Sequence, residues 1–312
     1  VENQDVLNQI KKYSQHIETP VLFDWNAYAI SCSKLKSNTL FKMSHLPLPA
    51  RYPDCDFPVI IKPDGLSGSK QVRLAYTTKE VETFLAGHPG ESFVIQEFLE
   101  GPSYSLEVVG NGRTSFPLVI TEVIVDRHWD CKRIAAPAVL PPKQEAQMTA
   151  IAETLSGVLP IDGIFDIEVI DHHGTLKLLE IDARLPSQTP IAVYHATGFN
   201  MVSAMITLKQ GQPLTLPSGC RSHCLYQQIA VHDGKIDVLG EGIMSRCSGL
   251  QIIPHFFGAE EAITNYRPGS LNWQAIVIIL GDTPQDAQNH FSDFIHTLKQ
   301  FPGMENYHYL EG

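Results

Sequence analysis

Two neighbouring runs with charged residues at alternate positions constrain this chain more than any other feature. The stretch GIFDIEVIDHHGTLKLLEIDAR contains two alternating apolar and polar runs around the turn-forming DHHG. Side chains along a strand alternate between its two faces, so the charged residues of each run share one face. They are Asp166 and Glu168 in the first run, and Glu180, Asp182 and Arg184 in the second. The pattern predicts a β-hairpin with one apolar face and one charged face.

The charged face has two interpretations. In the simpler one, it is the solvated side of an amphipathic hairpin. In the other, four carboxylates converge, and like charges crowded in this way destabilise a sheet unless a cation is present. Mg²⁺ prefers oxygen ligands and usually binds one or two carboxylates together with substrate phosphates. Both interpretations, a solvated face and a divalent-metal site, remain open from the hairpin alone.

The charge balance disfavours nucleic acid as a partner. The 312 residues include 34 acidic and 23 basic ones, a formal net charge of −11, and no basic block is present. No apolar run approaches the roughly 20 residues of a membrane helix, and the first residues contain no signal-peptide hydrophobic region. The six scattered cysteines suit free thiols in a reducing compartment, and CRSHC lacks a second ligand pair for structural zinc. We expect a cytoplasmic globular protein that binds no nucleic acid and no membrane.

The chain is long enough for two or three lobes. A predicted helix ends near Met43, and the proline-rich stretch HLPLPARYPDCDF then marks a lobe boundary. We expect an N-terminal segment of residues 1–45, a small lobe of residues 46–112 and a large lobe of residues 113–312. Val1 is not an initiator, so we expect the first segment to be the end of a longer domain.

Two motifs of the small lobe suit nucleotide binding. In IIKPDGLSGSKQV, glycines allow backbone N–H groups to approach an oxyanion, while serines and lysines add donors and positive charge. This loop fits neither the P-loop nor the dinucleotide-binding pattern, and an ordinary hairpin turn is the alternative. The stretch FVIQEFLEG can present backbone groups to an adenine edge, with a buried core strand as the alternative.

The order of these motifs along the chain resembles the ATP-grasp superfamily. The resemblance covers nearly the whole chain except its last sixty or so residues. It implies an ATP-grasp fold of the α+β or α/β class, in which a small α+β lid lobe and a larger mixed-sheet lobe hold ATP and Mg²⁺. It also implies that residues preceding the small lobe are the remnant of an N-terminal nucleotide-fold-like domain.

The resemblance implies a role for each matched residue. The phosphate-contacting residues would be Lys34 and Lys62, with Lys62 also catalytic; the closing loop would contain Gly65, Ser67, Gly68 and Ser69; the adenine site would contain Gln96, Glu97, Phe98 and Leu99; and the Mg²⁺ ligands would be Glu168, Glu180 and Asp182. The chain has E-x-D where many members have E-x-N. It has Pro102 and Ser103 where many members have a ribose-binding carboxylate.

A narrower resemblance lies in PVLFDWNAYAIS, SLEVVGNG, GIFDIEVI and LEIDARLPSQTPIAVYHATGFN. These stretches look like the ATP-grasp ligases of pyrrolysine biosynthesis, which join 3-methyl-D-ornithine to the side-chain amine of L-lysine. The resemblance implies those small-molecule substrates, with D-ornithine as an alternative acid, and a possible homodimer. Substrate contacts are expected from Ser105, Glu107, Asp166, Arg184, Ser187, Gln188 and Thr189, with Arg184 also catalytic at the acyl phosphate.

Other functions remain open from the sequence. The chain could be an ATP-grasp enzyme for another acid, such as a D-amino-acid dipeptide ligase or a carboxylase subunit, or a non-enzymatic nucleotide-binding protein. Residues 126–134, with mixed charges and a tryptophan, are expected to border the second-substrate pocket.

Overall fold

The computed structural model describes residues 4–14, 16, 18, 21–66 and 68–311. The helices in this part of the chain are α1 (Gln4–Ser14), α2 (Trp25–Ser31), α3 (Lys34–Met43), α4 (Thr78–Ala86), α5 (Pro142–Val158), α6 (Thr189–Thr197), α7 (Met201–Lys209) and α8 (Pro284–Lys299). The strands are β1 (Val59–Pro63), β2 (Arg73–Ala75), β3 (Phe93–Glu97), β4 (Ser103–Gly110), β5 (Ser115–Val125), β6 (Cys131–Ala136), β7 (Ile164–His172), β8 (Thr175–Asp182), β9 (His223–His232), β10 (Lys235–Val238), β11 (Gln251–Pro254), β12 (Glu261–Thr264), β13 (Trp273–Gly281) and β14 (His308–Glu311). Short 3₁₀ helices span Glu241–Arg246 and Phe256–Gly258.

The strands form a small and a large sheet. The small antiparallel sheet has the order β2-β1-β3, and its buried residues Val59, Ile61 and Ala75 pack with Val81 of α4. The large sheet has the order β11-β12-β13-β9-β6-β5-β4-β7-β8, with β10 beside β9 and β14 beside β10. Only the β10–β14 pair in the described residues is parallel. The expected small α+β lobe and larger mixed-sheet lobe are therefore both present.

Strand β4 differs from the expected lobe boundary at residue 112. It pairs with β5 on one side and with β7 on the other, so it is a central strand of the large sheet. Its alternating pattern predicts a strand, but the pattern does not determine which sheet that strand joins. We propose instead that the boundary lies in residues 98–102, between the small sheet and β4.

The predicted helix that ends near Met43 forms as two helices. Ser33 interrupts it because the Ser33 side chain accepts a hydrogen bond from Lys36 N (3.2 Å) and so caps the start of α3. The Ser33 hydroxyl also donates to Asp64 Oδ1 (3.0 Å), just after β1. These contacts hold the first turn of α3, which contains Lys34, against the small lobe.

Helix α5 covers the apolar face of the predicted hairpin. Ile167 of β7 lies opposite Ile181 of β8, and both are fully buried in a core that includes Ile151 and Leu155 of α5. Burying such a side chain contributes roughly 1.5–3 kcal/mol, so the apolar face strongly specifies the register of the hairpin. The charged residues that alternate with these isoleucines along β7 and β8 therefore lie on the opposite face of the sheet.

No single helix in the described residues is long and apolar enough to cross a membrane. The helices Thr189–Thr197 and Met201–Lys209, which meet at an angle of 92°, together have the length and composition of a membrane span, and nothing else indicates one.

Candidate active site

The hairpin and β4 place acidic side chains in two rows on one face of the large sheet. Residues that lie directly opposite one another on neighbouring strands share a face. The rows are Glu107–Asp166–Asp182 and Ser105–Glu168–Glu180, each running from β4 through β7 to β8. The alternation in the sequence therefore becomes a compact acidic surface built on three buried strands.

The three expected metal ligands are crowded but already have basic neighbours. Burial and the neighbouring Glu180 and Asp182 raise the pKa of Glu168 to about 7. Lys34 Nζ lies 3.3 and 3.2 Å from the two carboxylate oxygens of Glu180, and Arg184 lies 2.5 Å from Asp182. No three His, Cys, Asp or Glu side chains among the described residues converge as a metal-binding group.

The chemistry of these donors nevertheless fits Mg²⁺. Glu168, Glu180 and Asp182 offer hard oxygen atoms on one face, and one or two carboxylates suffice when substrate phosphates complete the coordination. A cation would also relieve the repulsion that raises the pKa of Glu168.

Two lysines bring positive charge to the same place from outside the hairpin. Lys34, at the start of α3, also donates to the carbonyl oxygen of Leu66 (2.8 Å) in the loop after β1. Burial lowers the pKa of Lys62 on β1, while the nearby Glu180 opposes that effect. Both lysines therefore lie beside the carboxylates of the large sheet.

The glycine- and serine-containing loop closes over this region. Gly68 and Ser69 line the cavity, and the Ser69 hydroxyl donates to the carbonyl oxygen of Trp129 (2.6 Å) in the large lobe. Gly65 has a φ of +76°, which suits glycine at the turn, but it is not among the lining residues. Ser67, the remaining expected loop residue, lies outside the described residues.

A cavity of about 520 Å³ joins the small lobe to the acidic face of the large sheet. The expected adenine-site residues Gln96, Glu97, Phe98 and Leu99 all line it. Gln96 and Leu99 are buried, whereas Glu97 Oε1 accepts a hydrogen bond from Ala50 N (2.7 Å). The Glu97 side chain thus anchors the chain that enters the small lobe. The N–H groups of Glu97 and Phe98 also donate within the protein, to the carbonyl oxygens of Ala50 (2.8 Å) and Pro58 (3.1 Å).

The side-chain carboxylates that are expected to bind substrate form the buried part of the acidic surface. Glu107 is fully buried, and the Ser105 hydroxyl donates to its Oε1 (2.9 Å). Burial raises the pKa of Glu107 to about 8, against the opposing effect of the hydrogen bond from Ser105. Burial and the neighbouring Glu107 also raise the pKa of Asp166 well above its usual range. Asp166 lines the cavity, while Ser105 and Glu107 lie behind it.

The segment after the hairpin forms one wall of the cavity. Ser187, Gln188 and Thr189 all line it at the start of α6. The Ser187 hydroxyl and the Gln188 side-chain amide donate to Glu241 Oε2 at 3.2 and 2.5 Å. Two side chains that were expected to contact a substrate carboxylate therefore contact a protein carboxylate in this structure.

Glu241 was missed by the sequence analysis. It lies in the 3₁₀ helix Glu241–Arg246, where no alternation or spacing marks it as functional. The only local signal is its position between Gly240 and Gly242. The loop of residues 126–134 was expected to border the substrate pocket, and it does line the cavity.

Comparison with protein families identifies the domain. Residues 32–188, half of the chain, match the family described as the ATP-grasp domain. The match includes both lysines, the closing loop and the hairpin, and it ends at Gln188, just before α6.

Among known proteins, the chain is similar to 3-methyl-D-ornithine–L-lysine ligases. It is 32% identical to that of Methanosarcina acetivorans over 249 residues, which cover 78% of this chain and 65% of the relative. It is also 32% identical to that of Methanosarcina mazei over 248 residues, covering 78% and 63%. The aligned region thus spans less than two thirds of these relatives.

Solved structures agree on the fold. The biotin carboxylase domain of 2-oxoglutarate carboxylase from Hydrogenobacter thermophilus has a TM-score of 0.71 and 14% identity, over 95% of this chain and 71% of that chain. The L-amino acid ligase from Bacillus licheniformis has a TM-score of 0.65 and 17% identity, over 92% and 75%. Together with the family match and the two-lobed architecture, these similarities show that the chain belongs to the ATP-grasp family and has the ATP-grasp fold.

Proposed function

We propose that the chain is an ATP-dependent carboxylate–amine ligase. The observation that supports this most directly is the meeting of Lys34 and Lys62 with the acidic rows and Arg184 around one cavity. Binding a nucleotide requires positive charge and an apolar slot, but it does not require a guanidinium beside paired rows of carboxylates. Phosphoryl transfer to a carboxylate followed by attack of an amine does require such groups.

We propose 3-methyl-D-ornithine as the acid, with D-ornithine as an alternative, and the side-chain amine of L-lysine as the nucleophile. The 32% identity to ligases named for 3-methyl-D-ornithine and L-lysine supports this choice. The two acids differ by one methyl group, which a pocket discriminates by only about 1–3 kcal/mol.

In the proposed complex, the nucleotide lies between the lobes. Lys34 and Lys62 would contact its phosphates, and residues 96–99 would contact the adenine. Mg²⁺ held by Glu168, Glu180 and Asp182 would neutralise phosphate charge. The hydrogen bond from Ser69 to Trp129 holds the closing loop against the large lobe, and a loop held there would shield the reacting groups from water.

Arg184 is the proposed catalytic residue at the carboxylate that becomes phosphorylated. The acid oxygen attacks the γ-phosphoryl group of ATP, ADP leaves, and an acyl phosphate forms. Arg184 is fixed beside Asp182, so its planar guanidinium can stabilise the charge on this acyl phosphate and on the tetrahedral species that follows. The amine then displaces inorganic phosphate and forms the amide.

Glu107 and Asp166 are the proposed receptors for an ammonium group of the acid substrate. Glu107 Oε2 and Asp166 Oδ1 are buried and have no hydrogen-bond partner among the residues that the structure describes. Buried polar atoms are usually paired, so a cationic ligand group would complete both. Their raised pKa values would fall on binding because the ammonium group favours the ionised carboxylates.

The test is release of ADP from Mg-ATP, with mass analysis of the products, in the presence of both amino acids and with each omitted in turn. We expect a condensed product only when both are present. If ADP were released only with some other acid, the ligase proposal would stand, and the proposed substrates would be wrong. Nucleotide binding without turnover for any acid would favour the non-enzymatic alternative.

The cytoplasmic location and the homodimer remain proposals as well. Light scattering after size-exclusion chromatography tests the dimer: a mass of about twice 34.6 kDa supports it, and the monomer mass contradicts it.

A further inference from the structure

Glu241 lies where three parts of the chain meet around the cavity. Its Oε2 accepts hydrogen bonds from Ser187 and Gln188, at the start of α6. Its Oε1 lies beside the closing loop of the small lobe, since a Cβ atom added to Gly68 would be 3.5 Å from it. A carboxylate from the part of the chain after the family match thus lies beside the residues of the family domain that line the cavity.

The backbone that carries Glu241 is held by Asp130. The N–H of Gly242 donates to Asp130 Oδ2 (3.0 Å). On the other side of Glu241, a Cβ atom at Gly240 would lie 2.3 Å from Asp130 Cγ, so only glycine permits this approach. Asp130 therefore fixes the position of Glu241 through the two flanking glycines.

A second observation indicates that this wall receives a ligand. Gln188 is only 7% exposed, lines the cavity, and its Oε1 has no hydrogen-bond partner among the described residues. Its side-chain amide donates to Glu241, so the two residues are held together with acceptor oxygens on both. An ammonium group has three N–H donors and no acceptor, and it would satisfy such a pair of acceptors.

We propose that Glu241 and Gln188 bind the α-ammonium group of the amine substrate, and that Asp130 is a positioning residue for Glu241. The inference rests on the proposed ligase function and adds the recognition of its second substrate. Glu107 and Asp166 serve the acid, whereas Glu241 and Gln188 select an amine that is itself an α-amino acid.

The test compares two amines in two proteins. L-lysine has an α-ammonium group, and 6-aminohexanoate has the same terminal amine and a carboxylate but lacks the α-ammonium. We expect the unmodified protein to prefer L-lysine in kcat/KM by at least about tenfold, because a charge-assisted contact is lost with the analogue. Glu241→Gln should lose most of this preference through a higher KM for L-lysine.

Matched variants separate recognition from structure. Glu260→Gln makes the same chemical change at an exposed position and should keep the preference. Asp130→Ala should reduce the preference in the same direction as Glu241→Gln. A purely structural role for Glu241 would lower kcat/KM for both amines by the same factor, and an unchanged preference in Glu241→Gln would overturn the assignment.

Hydroxylamine separates this inference from the ligase proposal, because it traps an acyl phosphate as a hydroxamate without any amine substrate. If the unmodified protein formed hydroxamate from Mg-ATP and the acid, and Glu241→Gln kept its amine preference, the role of Glu241 would be wrong and the ligase proposal would stand. Absence of both hydroxamate and ADP with every acid tested would overturn the ligase and the Glu241 assignment together.

Discussion

Three carboxyl groups, those of Glu107, Asp166 and Asp182, face one another across neighbouring strands of the large sheet. Burial and this crowding favour the protonated forms of Glu107 and Asp166 until a cationic ligand binds. Burial raises the pKa of Glu107 to about 8, whereas an unfolded chain has a value near 4.3. The folded protein therefore binds more protons at this residue, and the associated stability is lost as the pH rises from about 4 through 8.

Glu107→Gln tests this linkage. The free energy of unfolding of the unmodified protein should fall between pH 5 and pH 8, by about 1.4 kcal/mol for each unit of pKa difference that titrates in that range. The variant has no carboxyl group to titrate there, so its decline should be shallower. Urea unfolding at pH 5, 6, 7 and 8 measures both slopes, with exposed Glu153→Gln as the control. Equal slopes in the Glu107 variant and the unmodified protein would contradict the burial argument.

Glu180→Gln should leave the fold intact and abolish Mg-dependent turnover. The amide keeps the size of the side chain, but it loses the charge that faces Lys34 and the carboxylate oxygen that we propose as a metal ligand. We expect ADP release to fall at least about a hundredfold, since charge stabilisation by a single site group is commonly worth 10² or more in rate. Near-normal turnover, with unchanged thermal unfolding, would remove Glu180 from the site.

Arg184→Lys should bind ATP but react slowly. An ammonium group retains the charge beside Asp182 but cannot reproduce a planar two-point contact with an acyl phosphate. The expected loss in kcat is roughly tenfold to a hundredfold, with little change in nucleotide affinity. Calorimetry with a non-hydrolysable ATP analogue and steady-state kinetics measure the two quantities. Unchanged kcat would exclude the proposed role.

At the residue scale, the sequence predicted which side chains share a face where the partners are local. Glu168 and Glu180 belong to one hairpin, so alternation alone placed them on one face. Glu241 is 53 residues from Gln188, and their contact depends on how the C-terminal strands pair. No period in the sequence encodes such a contact, so it became visible only in the structure.

At the scale of elements, the connection between β3 and β4 has a strict steric requirement at Gly101. Its φ is +149°, and a Cβ atom there would lie 1.9 Å from the carbonyl oxygen of Asp171. Gly101→Ala should therefore destabilise the protein by about 2 kcal/mol or more. Gly157, exposed in α5 with open space around it, is the matched control.

Gly157→Ala should stabilise the protein by about 0.5–1 kcal/mol, because alanine loses less backbone entropy in a helix. Urea denaturation of the two variants should thus give changes of opposite sign. A Gly101→Ala variant as stable as the unmodified protein would contradict the close approach of this connection to the hairpin.

Element types were easier to predict than element partners. The hairpin follows from the alternation of apolar and polar residues on either side of DHHG. The same signals predicted β4, yet they assigned it to the wrong lobe, because pairing with β5 and β7 depends on distant residues. The break between α2 and α3 depends on Ser33 and its contact with Asp64, which is 31 residues away.

At the scale of the whole molecule, the order of motifs indicated the fold although each motif alone was ambiguous. The last sixty or so residues showed little pattern, yet β13 and α8 bury Trp273, Phe291 and Phe294 in one core. Strand β6, within the family match, pairs with β9, which follows it. This pairing joins the later strands to the family domain, and Glu241 lines the cavity. The part of the chain that follows the family match therefore contributes to the candidate site, which its sequence alone did not indicate.

The central claim is that ATP activates a carboxylate as an acyl phosphate between the two lobes. The most direct measurement uses 3-methyl-D-ornithine with an ¹⁸O-labelled carboxylate, L-lysine and Mg-ATP, and follows the released phosphate by ³¹P NMR. We predict one ¹⁸O atom in each phosphate, because the carboxylate oxygen leaves with the phosphoryl group. Amide formation with unlabelled phosphate, or ADP release that does not require the acid, would contradict the claim.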